Sequence, residues 1–221
     1  MNVDLSSTAF YEEVISRFVN NELPREVNRI SVTELVGCLR AAYLRRVRPA
    51  RFTGPQVIRV FMGRAVHYAL EKLINDYLGN SHAEVKRELE LNIEGDKVYV
   101  IGKADLIQLG EEGVIVEVKV TGQIPEQPYS NHKKQLQYYL ALFDISKGVL
   151  LYIDRNGKLR TFTVNRDPRL LAEVISRARQ LYLALKHNRL PEPERSNTCY
   201  FCPYKWQCLK SREAKEESIL V

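Results

Sequence analysis

The sequence predicts an α/β protein in which a metal centre joins the two ends of the chain. Three observations carry this prediction: helical and strand patterns alternate, one short strand is densely apolar, and four cysteines occupy a spaced pattern. Cys38 lies near the N-terminus, whereas Cys199, Cys202 and Cys208 cluster near the C-terminus with two and five residues between them. The CxxC spacing lets one turn of chain supply two of four metal ligands. A centre formed by all four cysteines would therefore bring distant segments together.

Composition and charge describe a globular chain that suits a polyanionic partner. The 221 residues are 45% hydrophobic and 27% charged, with a formal net charge of +6. This length supports one domain, or one domain with a small cap. No apolar run approaches the roughly 20 residues that span a bilayer, and the first residues lack a signal-peptide pattern. We therefore expect a cytoplasmic protein. Two disulfides in an exported protein are the less favoured alternative, because CxxC in cytosolic proteins more often binds metal or is catalytic.

The first third of the chain is expected to contain two helices. The pattern Ser-Val-Thr-Glu at 31–34 is typical of a capping box and predicts a helix to about Val47, with Cys38 on its second turn. A longer helix is predicted from residue 55 to Gly79, which ends it.

Three strands, a helix, a hairpin and a last helix are predicted next. The third strand carries four valines on one face, which is typical of a central strand covered by helices. Asn156-Gly157 is a strong hairpin signal. The predicted elements are strands at 84–93, 98–109 and 114–120, a helix at 130–145, strands at 148–153 and 158–164, a helix from Asp167-Pro168 to about Lys186, and a loop-rich cap from Pro191.

Glu117 and Lys119 form the centre of a candidate catalytic site. They are two residues apart on a strand, so their side chains leave the same face, and Asp105 lies twelve residues before Glu117 on the strand expected alongside. Two carboxylates on adjacent strands repel each other, and Mg²⁺ or Mn²⁺ relieves that repulsion. A lysine beside such an ion can orient or deprotonate water. The alternative is a solvated cross-strand ion pair, which the flanking valines and the close approach allowed by Gly102 disfavour.

Two helices are expected to add side chains to this site. His67 shares a helical face with Gly63, whose missing side chain leaves room for another backbone or a substrate. By itself, a histidine on an apolar face is more often a core residue than a ligand. Gln135 and Tyr139 lie one turn apart on the helix predicted at 130–145, although Tyr139 also fits the apolar stripe of that helix.

The densest basic run of the chain follows Cys38. Contact with DNA phosphates is the functional interpretation of this run, and a solvated helix face is the alternative. We favour DNA contact because the run is rich in arginine and lies beside the cysteine centre. Its members are Arg40, Arg45, Arg46, Arg48 and Arg51.

In this order, the motifs resemble those of a known nuclease family. Gly-xxx-His at 63–67, Gly-xx-Asp at 102–105, Glu-x-Lys at 117–119 and Gln-xxx-Tyr at 135–139 look like the RecB-type branch of the PD-(D/E)xK nucleases. With one cysteine before these motifs and a C-x2-C-x5-C run after them, the chain is similar to the iron–sulfur RecB-like exonucleases, and in particular to the CRISPR-associated exonucleases of spacer acquisition. The resemblance covers about residues 31–210. One departure is Ala104, which stands where the motif name has proline.

The resemblance implies a restriction-endonuclease-like core, a mixed central sheet flanked by helices, with an iron–sulfur cap that joins the N- and C-terminal segments. On this basis residues 1–55 form an N-terminal helical segment, 56–190 the nuclease core, and 191–221 the cap and tail.

The resemblance also implies roles for individual residues. His67, Asp105 and Glu117 would bind the catalytic Mg²⁺ or Mn²⁺ with the Val118 carbonyl, and Lys119 would position the attacking water. Gln135 and Tyr139 would support the site or the DNA strand. Arg45 and Arg46 are expected to support the DNA strand as well, on the separate ground of the basic run. The four cysteines would hold a [4Fe–4S] cluster, with [2Fe–2S] or zinc as alternatives.

The leading hypothesis is a metal-dependent DNA exonuclease that acts on single-stranded ends in CRISPR spacer acquisition, with the spacer-integrase complex as a candidate partner. A stand-alone RecB-like repair nuclease is the second hypothesis. A non-catalytic DNA-binding protein with a four-cysteine zinc site is the third.

Overall fold

A six-stranded mixed β-sheet forms the centre of the molecule and helices flank it. The structure is a computed structural model, and it describes residues 5–21, 26–78, 82–108 and 113–208. The elements in chain order are α1 (Thr8–Asn20), β1 (Arg29–Ser31), α2 (Val32–Val36), α3 (Leu39–Val47), α4 (Pro55–Leu78), β2 (His82–Ile93), β3 (Asp96–Gln108), β4 (Val114–Thr121), α5 (Ser130–Phe143), β5 (Lys147–Asp154), β6 (Leu159–Asn165), α6 (Leu170–Lys186) and a short 3₁₀ helix (Asn197–Phe201).

The strands follow the order β1-β3-β4-β5-β6, and β2 pairs with β3 as well. The pairs β1/β3 and β4/β5 are parallel, while β2/β3, β3/β4 and β5/β6 are antiparallel. The predicted α/β class with a mixed, helix-flanked sheet is therefore confirmed. Within the described ranges, no helix is both long and apolar enough to cross a membrane.

Strand β3 changes its neighbour halfway along one edge. The antiparallel pairing with β2 follows nearly the whole of β3. On the other edge, pairing with β1 ends at Ile101 and pairing with β4 begins at Leu106. No ladder pair covers that edge between these two residues. Because β4 diverges from β3 there, side chains of both strands can face a common space.

Helix α5 packs into the core against this part of the sheet. Its residues from Leu136 to Phe143 are all buried. Gly102 makes the approach possible, because a Cβ atom at this position would lie 2.5 Å from Leu142 Cδ2. The close approach expected before Asp105 is thus an approach of α5 to β3.

The helix predicted at 31–47 is in fact two helices. The capping box is present, since Ser31 N donates to Glu34 Oε2 at 2.9 Å. Gly37 and Cys38 are extended, and Cys38 is the N-cap of α3 instead of lying on a second turn.

Side chains from the C-terminal part of the chain stabilise this break. Arg177 donates to the Leu35 carbonyl at 2.6 Å and to the Gly37 carbonyl, while Leu39 N donates to Glu194 Oε1 at 2.8 Å. These partners supply the hydrogen bonds that a continuous helix would have made. They lie more than 130 residues away, so the local pattern could not indicate the break.

The remaining predicted elements are present with small changes at their ends. The sequence reasoning missed α1 and the three-residue strand β1. The expected end of α4 at Gly79, the end of the second predicted strand at Leu109 and the tail beyond Cys208 lie outside the described residues.

Candidate active site and cysteine cavity

Glu117 and Lys119 leave the same face of β4, as their spacing predicts. Glu117 is only 2% exposed. Lys119 Nζ donates to Glu117 Oε1 at 2.7 Å and to Gln135 Oε1 at 2.9 Å. The ammonium group is thus held between a strand carboxylate and a helix amide, which fixes its position.

Asp105 spans the gap that opens between β3 and β4. Its Oδ2 atom accepts a hydrogen bond from Val118 N at 2.8 Å, and its Oδ1 atom lies 3.3 Å from His67 Nδ1. Because the strands have separated, the Val118 amide is free to bind a side chain. The same contact directs the second carboxylate oxygen of Asp105 towards α4.

His67 reaches this site from α4. Burial lowers its pKa, but the hydrogen bond and charge of Asp105 outweigh burial, so the pKa lies above its usual value. A Cβ atom added at Gly63 would meet no atom within 4 Å. Gly63 therefore borders open space, which agrees with room for a substrate and not with a backbone contact.

One carboxylate oxygen at the centre of this group has no protein partner. Among the described residues, Glu117 Oε2 is buried and makes no hydrogen bond. Burial raises the pKa of Glu117 to about 7, although Lys119 acts to lower it, and the charge of Asp105 raises it further. A buried, unpaired oxygen beside a second carboxylate and an imidazole is a donor set that fits a divalent cation.

Glu71 belongs to the same group, and the sequence reasoning missed it. One ligand atom from each of His67, Glu71 and Asp105 can be chosen so that all three lie within 4.8 Å of one another. Glu71 follows His67 by four residues on α4, so both side chains lie on one helix face. This four-residue spacing was the sequence pattern from which Glu71 could have been predicted as a site residue.

Gln135 and Tyr139 also lie at the site, one turn apart on α5. Gln135 Nε2 donates to Tyr139 OH at 3.2 Å, while its carbonyl oxygen accepts from Lys119. Tyr139 is 3% exposed, so it belongs both to the apolar core and to this hydrogen-bonded chain. Its place in the apolar stripe is therefore confirmed, and its supporting role at the site stays a prediction.

These side chains surround a cavity of about 620 Å³. The predicted set of catalytic and metal-binding side chains comes together in it. Its lining includes His67, Asp105, Glu117, Lys119, Gln135, Tyr139 and residues of the β1–α2 segment.

The four cysteines line a second, larger cavity of about 940 Å³. None of these four described cysteines forms a disulfide bond. Glu194 N donates to Cys38 Sγ and Ser196 N to Cys199 Sγ, each at 3.5 Å. Burial raises the pKa of Cys202, and the charges of the other three cysteines raise it further. Convergent thiols with backbone N–H donors fit a thiolate-bound metal group.

The two cavities adjoin each other. Thr33, Lys119 and Gln135 line both of them. The candidate catalytic lysine therefore stands in the wall between the carboxylate cavity and the cysteine cavity.

The arginine run divides into buried and exposed members. Arg46 donates to both carboxylate oxygens of Glu34, at 2.6 and 2.9 Å, and to the Arg29 carbonyl at 2.6 Å. Arg40 is 4% exposed and donates to the Pro191 carbonyl. The guanidinium of Arg46 is therefore committed to an internal ion pair, which argues against the predicted contact of this residue with DNA. The exposed members are Arg45, which lines the cysteine cavity, Arg48 and Arg51.

Comparisons with known proteins agree with this arrangement. The family model of the PD-(D/E)XK nuclease superfamily matches residues 13–209. A CRISPR-associated exonuclease Cas4 of Saccharolobus solfataricus is 35% identical over 133 residues, which cover 58% of this chain and 65% of that relative. The match therefore spans just under two thirds of the relative's length.

Two solved structures resemble the fold. The crystal structure of SSO0001 superposes with a TM-score of 0.67 at 24% identity, covering 91% of this chain and 95% of that one. An alkaline exonuclease from Laribacter hongkongensis superposes with a TM-score of 0.50 at 13% identity, covering 74% and 90%. The family model covers most of the chain, and its range includes His67, Asp105, Glu117 and Lys119. The chain therefore belongs to the PD-(D/E)XK nuclease superfamily.

Proposed function

We propose that this protein is a divalent-cation-dependent DNA exonuclease that acts in CRISPR spacer acquisition. The observation that carries the nuclease chemistry is the buried, unpaired Glu117 Oε2 beside Asp105 and Lys119. The exonuclease activity, its preference for single-stranded ends and the CRISPR role rest on the resemblance and on the Cas4 relative.

His67, Asp105 and Glu117, with the Val118 carbonyl, would hold the Mg²⁺ or Mn²⁺ ion. Such an ion supplies Lewis-acid polarisation of a phosphoryl oxygen and lowers the pKa of water. The Asp105 carboxylate is preorganised to bind the ion, because Val118 N donates a hydrogen bond to one of its oxygens and the other oxygen faces His67.

Lys119 is the residue that positions the attacking water in this proposal. Its ammonium is fixed between Glu117 and Gln135, so it can hold a water and offset negative charge that develops on the phosphate. Gln135 in turn is bound by Tyr139, which supports the same geometry from the core.

The cysteines would hold a [4Fe–4S] cluster rather than zinc. Four thiolates around a zinc ion lie about 3.8 Å from one another, given Zn–S bonds of about 2.3 Å. In the described part of the chain, the group of ligand atoms within 4.8 Å of one another comprises His67, Glu71 and Asp105, not the cysteines. Thiols spaced more widely than a zinc ion requires suit a larger group.

This cluster would fasten residues 191–221 to the segment 1–55, around the nuclease core at 56–190. Arg45, Arg48 and Arg51 would contact DNA phosphates beside it, because they are exposed and follow the first ligand.

The test is cleavage of end-labelled single-stranded DNA with Mg²⁺ or Mn²⁺, and with EDTA. Asp105→Ala and Glu117→Ala should each abolish cleavage, whereas the control Glu90→Ala should not, because Glu90 is a half-exposed carboxylate paired with Lys97 on the sheet. Full activity of either site variant would overturn the assigned site, and full activity of the wild type in EDTA would overturn the cation dependence. Absence of cleavage by the wild type with either cation would overturn the nuclease assignment.

The CRISPR role has a separate test. In cells with the integrase genes, Glu117→Ala should lower the number or alter the ends of newly acquired spacers. Unchanged acquisition with an inactive nuclease would favour the stand-alone repair role.

A further inference from the structure

A neutral histidine stands in the wall of the cysteine cavity, next to Lys119. His132 lies on the first turn of α5 and lines this cavity with Lys119 and Gln135. The resemblance assigns it no role.

A chain of hydrogen bonds favours one tautomer of His132. Tyr129 N donates to Tyr152 OH at 3.2 Å, and Tyr152 OH lies 2.9 Å from His132 Nδ1. A tyrosine hydroxyl has one hydrogen to donate. Donation of that hydrogen to His132 Nδ1 leaves Nδ1 unprotonated and places the N–H on Nε2.

The surroundings keep this ring uncharged and correctly placed. Burial, and secondarily the charge of Lys119, lowers the pKa of His132 to about 4. Tyr152 is fully buried, and the Tyr129 ring packs edge-to-face on His132 with centroids 5.4 Å apart. As far as the structure describes the chain, no hydrogen bond to a protein atom involves His132 Nε2, which leaves its N–H available to the cavity.

The cavity whose thiols would hold the cluster also carries cationic side chains that suit a phosphate. Lys119 and Arg45 are among them, Glu192 and Glu194 line the same cavity, and the net charge of the chain is positive. Lys119 and Gln135 also separate it from the cavity that holds Asp105 and Glu117. A DNA strand that has its scissile phosphate at the carboxylates and continues past Lys119 would place a neighbouring phosphate on the His132 side of Lys119.

We propose that His132 is a substrate-positioning residue whose Nε2–H donates a hydrogen bond to a non-bridging oxygen of the phosphate next to the one that is cleaved. This inference rests on the proposed nuclease function. Tyr152 is the residue that orients the donor.

The test combines replacement of His132 with neutralisation of one substrate phosphate at a time. Oligonucleotides with one methylphosphonate at successive linkages are assayed for cleavage rate and for affinity, with wild type, His132→Ala and the control His187→Ala, an exposed histidine paired with Glu94. A hydrogen bond to a charged group predicts a loss of about 10- to 100-fold in His132→Ala on normal DNA. At one linkage beside the cut, methylphosphonate should slow the wild type and the control but not His132→Ala.

Two further measurements separate this role from simple structural damage. The salt dependence of DNA affinity should be unchanged in His132→Ala, because a neutral donor releases no counterion, whereas Arg45→Ala should flatten the slope by roughly 0.7 to 0.9. Nitrogen NMR of the histidine rings should show His132 protonated on Nε2. In Tyr152→Phe, which keeps the buried ring, it should show a mixture of tautomers and an intermediate loss of rate.

The outcomes distinguish the two proposals. A wild type that binds DNA but cleaves none would contradict the nuclease function, and the affinity scan would still test the phosphate contact. A proton on Nδ1, or equal sensitivity of wild type and His132→Ala to methylphosphonate at every linkage, would overturn the role of His132.

Discussion

Replacement of Glu117 by glutamine should stabilise the metal-free protein at alkaline pH while it removes activity. The pKa of Glu117 is raised from 4.5 to about 7, first by burial and then by Asp105, against the opposing effect of Lys119. The folded state therefore binds this proton more tightly than the unfolded state. The associated stability is fully present below about pH 4.5 and is lost as the pH rises through about 7.

This rise in the pKa of Glu117 lowers the unfolding free energy of the wild type by about 3 kcal/mol at alkaline pH. The glutamine side chain in the variant would have the shape of protonated Glu117 at every pH. We therefore expect Glu117→Gln to match the wild type near pH 4 and to exceed its unfolding free energy by about 3 kcal/mol at about pH 8.

The assay is urea denaturation of both proteins in EDTA, followed by circular dichroism, at these two pH values. The control is Glu90→Gln, whose parent carboxylate is half exposed and paired with Lys97 on the sheet. Added Mn²⁺ should stabilise the wild type and not Glu117→Gln, because a ligand that binds the folded state adds stability. The reasoning would be refuted if the glutamine variant were less stable than the wild type at about pH 8. It would also be refuted if the difference in unfolding free energy between the two proteins were the same at both pH values.

Three further predictions follow from other parts of the structure. Lys119→Ala should lower the single-turnover cleavage rate far more than DNA affinity by fluorescence anisotropy, because its charge acts on the developing transition state; equal losses would make it a phosphate anchor. Cys199→Ala should lose the brown colour and iron content and lower the melting temperature, since metal binding is coupled to folding; retained iron and an unchanged melting temperature would contradict this. Arg46→Ala should destabilise the fold by about 3 to 5 kcal/mol in urea denaturation, because the buried Glu34 carboxylate loses its cationic partner and keeps only the hydrogen bonds from Ser31. Arg45→Ala should leave stability near wild type, and equal stabilities of the two variants would contradict the buried ion pair.

Local spacing was enough to predict most elements and the face on which each site residue lies. Glu117 and Lys119 share a strand face because strand side chains alternate, and Gln135 and Tyr139 share a helix face because a turn has 3.6 residues. Once the strands take their correct order in the sheet, side chains on these faces come together at the site. The same rule relates Glu71 to His67, so that residue was within reach of the sequence.

Long-range contacts explain what the sequence reasoning missed. The break at Gly37 and Cys38 is stabilised by Arg177 and Glu194, which no local pattern connects to it. Strand β1 exists because β3 provides a parallel partner at Tyr99–Ile101, not because three residues have a strong preference of their own.

The sequence by itself determined the α/β class, the cysteine set and the residue types of the candidate site, because those depend on composition and on spacing within single elements. Only the tertiary structure decided that Arg46 is internal while Arg45 is exposed, since the two neighbours differ neither in charge nor in helix propensity. It also decided that Glu117 has a buried, unpaired oxygen and that His132 faces a cavity beside Lys119. Burial and pairing depend on which distant segments meet, and charge states follow from that burial.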